Sequence, residues 1–460
     1  MMGGGRRTPL AALVLAADYE KRMRSGRIKF LHPVAGRPMA AHVIEAARRL
    51  RPSRLIAVIG HQADEVRGAL ADLCDDFVLQ TEQRGTGHAV LEAAPLVGKA
   101  AGTTVLIVNG DVPAIRASTL RALVASHRRS GAVLSLVSAE VEDPRGCCRV
   151  VRDPAGRRVR LVENRDATPA ERRIREIDCG IYCADWSKLL AALRSPEATN
   201  GKRGCRLTDA VRRLVARGEK VVAVRSPDAE DVRGVRTRAE LARAGLTLYR
   251  RKAAELQESG VTVLDPATTW VDPRARIGRD TVLYPGVLVE GPSVIGEDCI
   301  VRSGCRLVHV VLGRGVEIKD LSVIEHSRLR DGASAGPFAH LRLGAILDAG
   351  AKVGNFVEVK KSRIGPGCNV GAGTITCNYD GVRKNPTTLG RGVFIGSDTQ
   401  LIAPVRVGAG AYVAAGTTVT KNVPAGALAI SRAAQTNVSG WAERKKSGKL
   451  GKPRPGRGRR

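Results

Sequence analysis

From Val271 onward an apolar residue returns at every sixth position: Ile277, Leu283, Val289, Ile295, Val301 and Leu307 follow in step. The step shortens by one at Leu312, Leu329 and Ile364, and elsewhere holds through Ile318, Ile324, Leu341, Leu347, Val353, Val359 and Val370. After a loop it resumes and runs unbroken through Leu389, Ile395, Leu401, Val407, Val413 and Val419. Chance spacing does not sustain such a period. It is a hexapeptide repeat, in which three hexads close one triangular coil of a parallel β-helix. Small residues after many of these positions ("IGRDTV", "IGEDCI", "VGAGAY"), and the 51 glycines of the chain, suit a fold that turns tightly at each corner.

The first half obeys another rule. Apolar β-type runs ("LAALVLAA", "RLIAVIG", "TTVLIVNGD", "AVLSLVSAE", "KVVAVRS") alternate with helical patterns ("MAAHVIEAARRL", "ADEVRGALADL"). Such alternation predicts a mostly parallel, doubly wound sheet with ligands at the carboxyl ends of its strands. The charged stretch 238–260 reads as a helical connector, and the expected divisions are an α/β domain over 8–245, the connector over 246–262, a β-helix over 263–432 and a basic disordered tail over 433–460.

Charge narrows the partners. Lys and Arg number 75 against 45 acidic residues, a formal +30, which favours anions such as nucleotides, coenzyme A and sugar phosphates. No aromatic-interleaved basic motif accompanies this charge, so a nucleic-acid partner is not expected. The ten cysteines form no zinc-type cluster, and pairs such as Cys147–Cys148 and Cys179–Cys183 read as small core fillers in a reducing cytosol. No apolar run approaches membrane-spanning length, and "RRTPLAALVLAA" reads as a first strand rather than a secretory signal.

Specific strings add a resemblance. "LHPVAGRPMAAHVIEA", "TEQRGTGHAV", "NGDVP", "GAGTITCNYDG", "IGSDTQLIAPVRVGAGAYVAAGTTVT" and "ALAISRAAQT" together resemble one family over roughly residues 8–445. It is the bacterial bifunctional N-acetylglucosamine-1-phosphate uridylyltransferase/glucosamine-1-phosphate N-acetyltransferase family. The resemblance implies a Rossmann-like nucleotidyltransferase domain and a left-handed β-helix that packs as a trimer. It also implies a cytoplasmic role in UDP-N-acetylglucosamine and peptidoglycan precursor synthesis, with UTP, sugar-1-phosphate, acetyl-CoA and Mg²⁺ as partners.

Residue by residue, the resemblance gives Arg22 and Lys29 phosphate contacts, Gln80, Gly85 and Thr86 the uracil-reading positions, Glu163 a sugar contact and Asp111 the Mg²⁺ carboxylate. The departures are as specific. The family's "LAAG-x-G-T-R-M" reads "LAADYEKRM", so Asp18 and Glu20 replace two glycines. Arg236 stands where the family has a metal-binding Asn, Cys148 stands for a Gly, Asp178 for an Asn, and "GEYYLTD" reads "RGCRLTD".

In the β-helix, Arg342 and Lys360 match phosphate- and sugar-binding positions one coil apart. Asn378, Tyr379 and Lys384 match the substrate and coenzyme region, and Ala372, Ser397, Ala415 and Arg432 match acetyl-CoA positions. Between "VKKSRIGPG" and "CNVGAGT" the family carries about one more coil, which holds its catalytic His. His340, two residues before Arg342, is the candidate replacement base; His326 is weaker, and His88 reads as helix start. Three readings follow: an enzyme of UDP-N-acetylglucosamine formation with one or both activities weakened or lost, a non-catalytic paralogue that binds nucleotide sugar or coenzyme A as scaffold or regulator, or an enzyme whose altered loops accept another sugar phosphate or acyl group.

Overall fold

The computed structural model describes residues 9–98, 102–153, 159–195, 205–431 and 434–447. Two compact units divide the chain: Met1–Ser259 with Asp265–Ala275 and Val289–Gly291, and Gly260–Leu264 with Arg276–Leu288 and Pro292–Arg460.

The first unit is built on a nine-stranded sheet. Its strands are β1 (Leu10–Ala16), β2 (Arg54–Ile59), β3 (Asp76–Leu79), β4 (Thr104–Asn109), β5 (Leu134–Glu140), β6 (Arg149–Arg152), β7 (Val159–Val162), β8 (Glu176–Asp185) and β9 (Val221–Arg225). The main order is β9-β5-β8-β4-β1-β2-β3, with β6 and β7 hung on β8 as a hairpin. Every pair along that order is parallel except those of β8, which runs antiparallel to both neighbours.

Helices α1 (Met39–Arg48), α2 (Ala63–Leu70), α3 (Thr86–Glu92), α4 (Ala117–Ser130), α5 (Trp186–Leu193), α6 (Leu207–Ala216) and α7 (Arg238–Glu258) complete this unit. Alternation along β1 explains the burial. Ala12, Val14 and Ala16 pack into one apolar cluster while Leu13 and Leu15 pack into the other, so both faces of the sheet are covered. His88 lies inside α3, as its context implied.

From Thr262 the short strands stack in three sheets of ten, nine and eight as a left-handed parallel β-helix, most of which makes up the second unit. Each shortened hexad appears as a shortened coil. Ile295 pairs Leu312, Leu312 pairs Leu329 and Leu347 pairs Ile364 at seventeen-residue steps, whereas Leu329 pairs Leu347 at eighteen. The ladder is continuous where the family carries its extra coil: Val353 pairs Val370 and Glu358 pairs Ile375.

The charged stretch 238–260 is helical over Arg238–Glu258, started by a capping box in which Thr237 Oγ1 accepts the Glu240 N–H and Glu240 Oε2 accepts the Thr237 N–H. Two expectations are corrected. The tail is not wholly irregular, since Trp441–Lys446 is helical with Lys445 Nζ 4.8 Å from the Trp441 ring one turn away; Arg432 and residues 448–460 lie outside the described residues. Of the cysteines read as core fillers, Cys183 is buried, but Cys147, Cys148 and Cys179 line a cleft. They sit at β6 and in a bulge of β8, where the chain bends towards solvent.

Among the described residues no helix is long and apolar enough to cross a membrane. All ten cysteines are free.

Candidate functional site

At the carboxyl ends of β1, β3 and β4 the chain leaves a cavity of about 230 Å³, lined by Asp18, Lys29, Gln80, Gln83, Gly85, Thr86, Asn109 and Asp111 among others. Thr86, Asn109 and Asp111 also line a neighbouring cavity of about 600 Å³, whose wall includes Cys148, Glu163, Asp178, Arg206, Thr208 and Arg236. The two form one cleft with Asp111 at the junction. Five of the residues matched to nucleotide binding therefore meet in the smaller cavity, and Glu163 and Arg236 meet Asp111 in the larger one. Arg22 lines neither.

Lys29 and Asp111 make the central pair, Nζ to Oδ2 at 2.6 Å, with only 5% and 13% of their side chains exposed. Gly234 lies beside the same carboxylate, where an added Cβ would come 3.6 Å from Asp111 Oδ1. Mg²⁺ is held in nucleotide sites by one or two carboxylates plus phosphate oxygens and water. Asp111 fits that role, and Lys29 beside it offers a charge to the same phosphates. Arg236 makes no ion pair among the described residues; its backbone N–H donates to Glu240 Oε2 at 2.8 Å.

Gly85 takes φ +105°, and a Cβ there would come within 2.7 Å of the Cys205 carbonyl oxygen. This turn places the buried Gln80 against it, with Gln80 Nε2 donating to the Gly85 carbonyl at 3.1 Å and facing His88 Nδ1. Thr86 Oγ1 accepts the Leu207 N–H, tying α3 to α6.

The loop after β1 solves its missing glycines differently. Glu20 has φ −98° and ψ 102°, an extended backbone open to any residue. Its carboxylate accepts from Arg22 N at 3.1 Å, Nε at 2.8 Å and Nη2 at 2.6 Å, and the Arg22 guanidinium holds its pKa down at about 2. Asp18 is pushed the other way by burial, against the pull of Lys29. Thus Glu20 occupies the guanidinium that the family pattern turns towards phosphate. Glu20→Gln is expected to tighten UTP binding by about threefold, a modest gain because Arg22 is 59% exposed. Titration calorimetry checks this; unchanged or weaker binding would show that Arg22 does not face the nucleotide.

Sequence reasoning saw Asp178 only as a substitution. The structure gives it a setting: the bulge in β8 between Asp178 and Tyr182 turns its carboxylate into the cleft, beside Cys148, whose carbonyl accepts the Asp178 N–H at 3.0 Å. Gly180 permits the bulge with φ +70° and packs on the Asn109 amide. Burial raises the Asp178 pKa to about 6, only partly offset by hydrogen bonds from the Tyr182 hydroxyl and the Gly180 N–H.

The linkage follows from protons bound. Between the ordinary value of 3.8 and about 6 the folded chain holds a proton that the unfolded chain has lost, so rising pH removes stability, and the loss persists above pH 6. Asp178→Asn is expected to melt progressively higher than the parent as pH rises from about 4.5 to 7.5, approaching about 2 kcal/mol. Parallel melting curves that never diverge would refute this.

In the β-helix, Arg342 and Lys360 stand in register on adjacent coils, with Arg342 Nη1 2.7 Å from Glu358 Oε1. Partial loss of water, with Arg342 and Lys384 alongside, depresses the Lys360 ammonium. Asn378 is 8% exposed and its Nδ2 has no hydrogen-bond partner among the described residues, next to the projecting Tyr379. Ala372, Ser397 and Ala415 follow one another on successive coils: Asp398 N donates to the Ala372 carbonyl and Gly416 N to that of Ser397. His340 shares the outward face of Arg342, but its Nε2 turns to Glu325 Oε2 at 3.5 Å, on the preceding coil. His326 stacks on His309 at 4.9 Å.

A doubly wound domain with a lysine–carboxylate pair at its strand ends, in one chain with hexapeptide coils, defines a two-part transferase. Comparison with known proteins agrees. Residues 12–203 match the MobA-like NTP transferase domain and residues 386–421 the bacterial transferase hexapeptide (six repeats). The bifunctional protein GlmU of Pelobacter propionicus is 45% identical over 95% of this chain and 99% of its own length. That of Anaeromyxobacter sp. is 47% identical over 96% and 94%, and that of Geobacter sulfurreducens 43% over 95% and 99%. The chain belongs to the bifunctional GlmU family and is an enzyme of its nucleotidyltransferase and N-acetyltransferase classes.

Proposed function

We propose that the first unit transfers a uridylyl group from UTP to N-acetylglucosamine-1-phosphate, or to a related sugar phosphate, in UDP-N-acetylglucosamine formation in the cytoplasm. A sugar-phosphate oxygen attacks the α-phosphorus, the α–β P–O bond breaks and pyrophosphate leaves. The observation that carries this reading is the buried Lys29–Asp111 pair, at strand ends beside Gln80, Gly85 and Thr86. Asp111 would hold Mg²⁺, which neutralises phosphate charge when bound; Lys29 neutralises and orients the same phosphates. Arg236 supplies fixed positive charge where the family places a second metal ligand.

The β-helix, assembled as a trimer, binds amino-sugar phosphate through Arg342 and Lys360 and acetyl-CoA along Ala372, Ser397 and Ala415, with Asn378 Nδ2 reserved for a ligand or neighbouring subunit. Acetyl transfer is weakened, because the coil in which the family carries its catalytic His is absent here and a general base is worth about 10²–10⁴ in rate. A binding-only role is the second reading, favoured by the continuous ladder across the absent coil.

Mass spectrometry on the purified protein separates them. One tube receives glucosamine-1-phosphate with acetyl-CoA, another N-acetylglucosamine-1-phosphate or glucosamine-1-phosphate with UTP and Mg²⁺. Uridylylated sugar supports the leading reading. Thermal stabilisation by UTP or coenzyme A with silence in every tube supports the second.

A further inference from the structure

We propose that Asp178 and Glu163 make the sugar end of the cleft selective for a free amine, so that it takes an unacetylated hexosamine-1-phosphate in preference to the N-acetylated form. The proposal rests on the nucleotidyl-transfer reading above.

Asp178 lines the larger cavity, and its oxygens accept only from neutral donors: the Gly180 N–H at 3.2 Å and the Tyr182 hydroxyl. Among the described residues it has no cationic partner. Glu163, on the same wall, accepts from Thr208 Oγ1 at 3.0 Å and has one cation near, Arg206 at 3.6 Å. A desolvated carboxylate without a counter-charge is costly, and the rise in the Asp178 pKa expresses that cost. A ligand that brings a positive group to this wall relieves it.

Ionised carboxylates only accept hydrogen bonds. An ammonium offers three donors and a full charge. An acetamide offers one N–H, and its carbonyl oxygen would face two acceptors. It is also larger, and Cys148, whose carbonyl accepts the Asp178 N–H, stands in this wall where the family has Gly. Weak acetyl transfer in the β-helix points the same way, since a sugar phosphate that escapes acetylation is the species this cleft would receive. The amine takes no part in the transfer: the phosphate oxygen attacks UTP as before, and the product is a UDP-hexosamine with its amine free.

The test uses the full-length protein with UTP, Mg²⁺ and equal glucosamine-1-phosphate and N-acetylglucosamine-1-phosphate in one tube, products counted by mass. Glucosamine-1-phosphate is expected to be used at least about tenfold more efficiently, and Asp178→Asn to cut that preference by about ten- to a hundredfold. Cys148→Gly should raise use of the acetylated sugar relative to the free amine, narrowing the parent's ratio. A parent that favours the acetylated sugar, or an Asp178→Asn ratio equal to the parent's, overturns the proposal while leaving nucleotidyl transfer standing. Should neither sugar react, the nucleotidyl-transfer reading fails, and calorimetry of the two sugar phosphates without UTP still decides selectivity: equal affinities refute it. If Asp178→Asn does not fold, the parent and Cys148→Gly ratios decide.

Discussion

Lys29→Met is expected to lower Mg²⁺-dependent pyrophosphate release from UTP by about a thousandfold and to destabilise the first unit by about 3 kcal/mol. Both effects come from one contact. The Lys29 ammonium lies 2.6 Å from Asp111 Oδ2 in a cavity that leaves the pair almost wholly covered. Methionine keeps the length and bulk of the side chain but leaves Asp111 facing the cleft without its cation. Charge developing on the transferred phosphate then loses a preorganised partner as well. A third readout separates this from general damage: Mg²⁺ alone, without nucleotide, should raise the melting temperature of the variant more than that of the parent, because the freed carboxylate now recruits the ion. Pyrophosphate release within tenfold of the parent would place Lys29 away from the phosphates, and Mg²⁺ without added effect would remove Asp111 as its holder.

The periodic part of this molecule was legible from its residues because each hexad reports its own position. A solenoid coil touches only its neighbours, so a one-residue slip at Leu312 or Ile364 is a local event in sequence and in space. The parallel strands of the first unit were legible for a related reason: buried on both faces, β1, β2 and β4 read as unbroken apolar runs. β8 was not. It is interrupted by the polar bulge at Asp178–Tyr182 and enters the sheet antiparallel between β5 and β4, so neither alternation nor apolar length announces it.

The same division runs through the site. Lys29, Gln80, Gly85, Thr86 and Asp111 came from recognisable strings, and they converge because strand ends in a doubly wound sheet converge. The clasp between Glu20 and Arg22 was hidden, since the sequence shows an acid in place of a glycine but not that its own loop supplies the partner. Asp178 was hidden by long range: its meaning depends on Glu163 and Cys148, brought to it by β6, β7 and the bulge. The start of α7 was legible, because the charged helical pattern of 238–260 is local, and the helix fills it from Arg238 to Glu258.

Inserting one coil after Gly367, carrying the family's histidine hexad, is expected to raise acetyl transfer to glucosamine-1-phosphate by about a hundredfold or more without lowering the melting temperature. Gly367 is the corner to cut, because the strands on either side of it, Arg363–Ile364 and Asn369–Val370, already bond to the coils before and after. An eighteen-residue insert repeats the step between Leu329 and Leu347, so every inward-facing residue downstream keeps its face. The insert also moves Lys384 one coil spacing, roughly 4.8 Å, further from Lys360. At present Lys384 is among the groups that depress the Lys360 ammonium, so its removal should let the Lys360 pKa rise towards the ordinary lysine value of 10.5. That titration, followed by NMR on labelled lysine, reads the geometry independently of turnover. The same insert with alanine for histidine should show the lysine shift but no gain in acetyl transfer. A folded insert that shows the shift and still fails to acetylate would locate the defect in coenzyme or sugar binding rather than in the missing base.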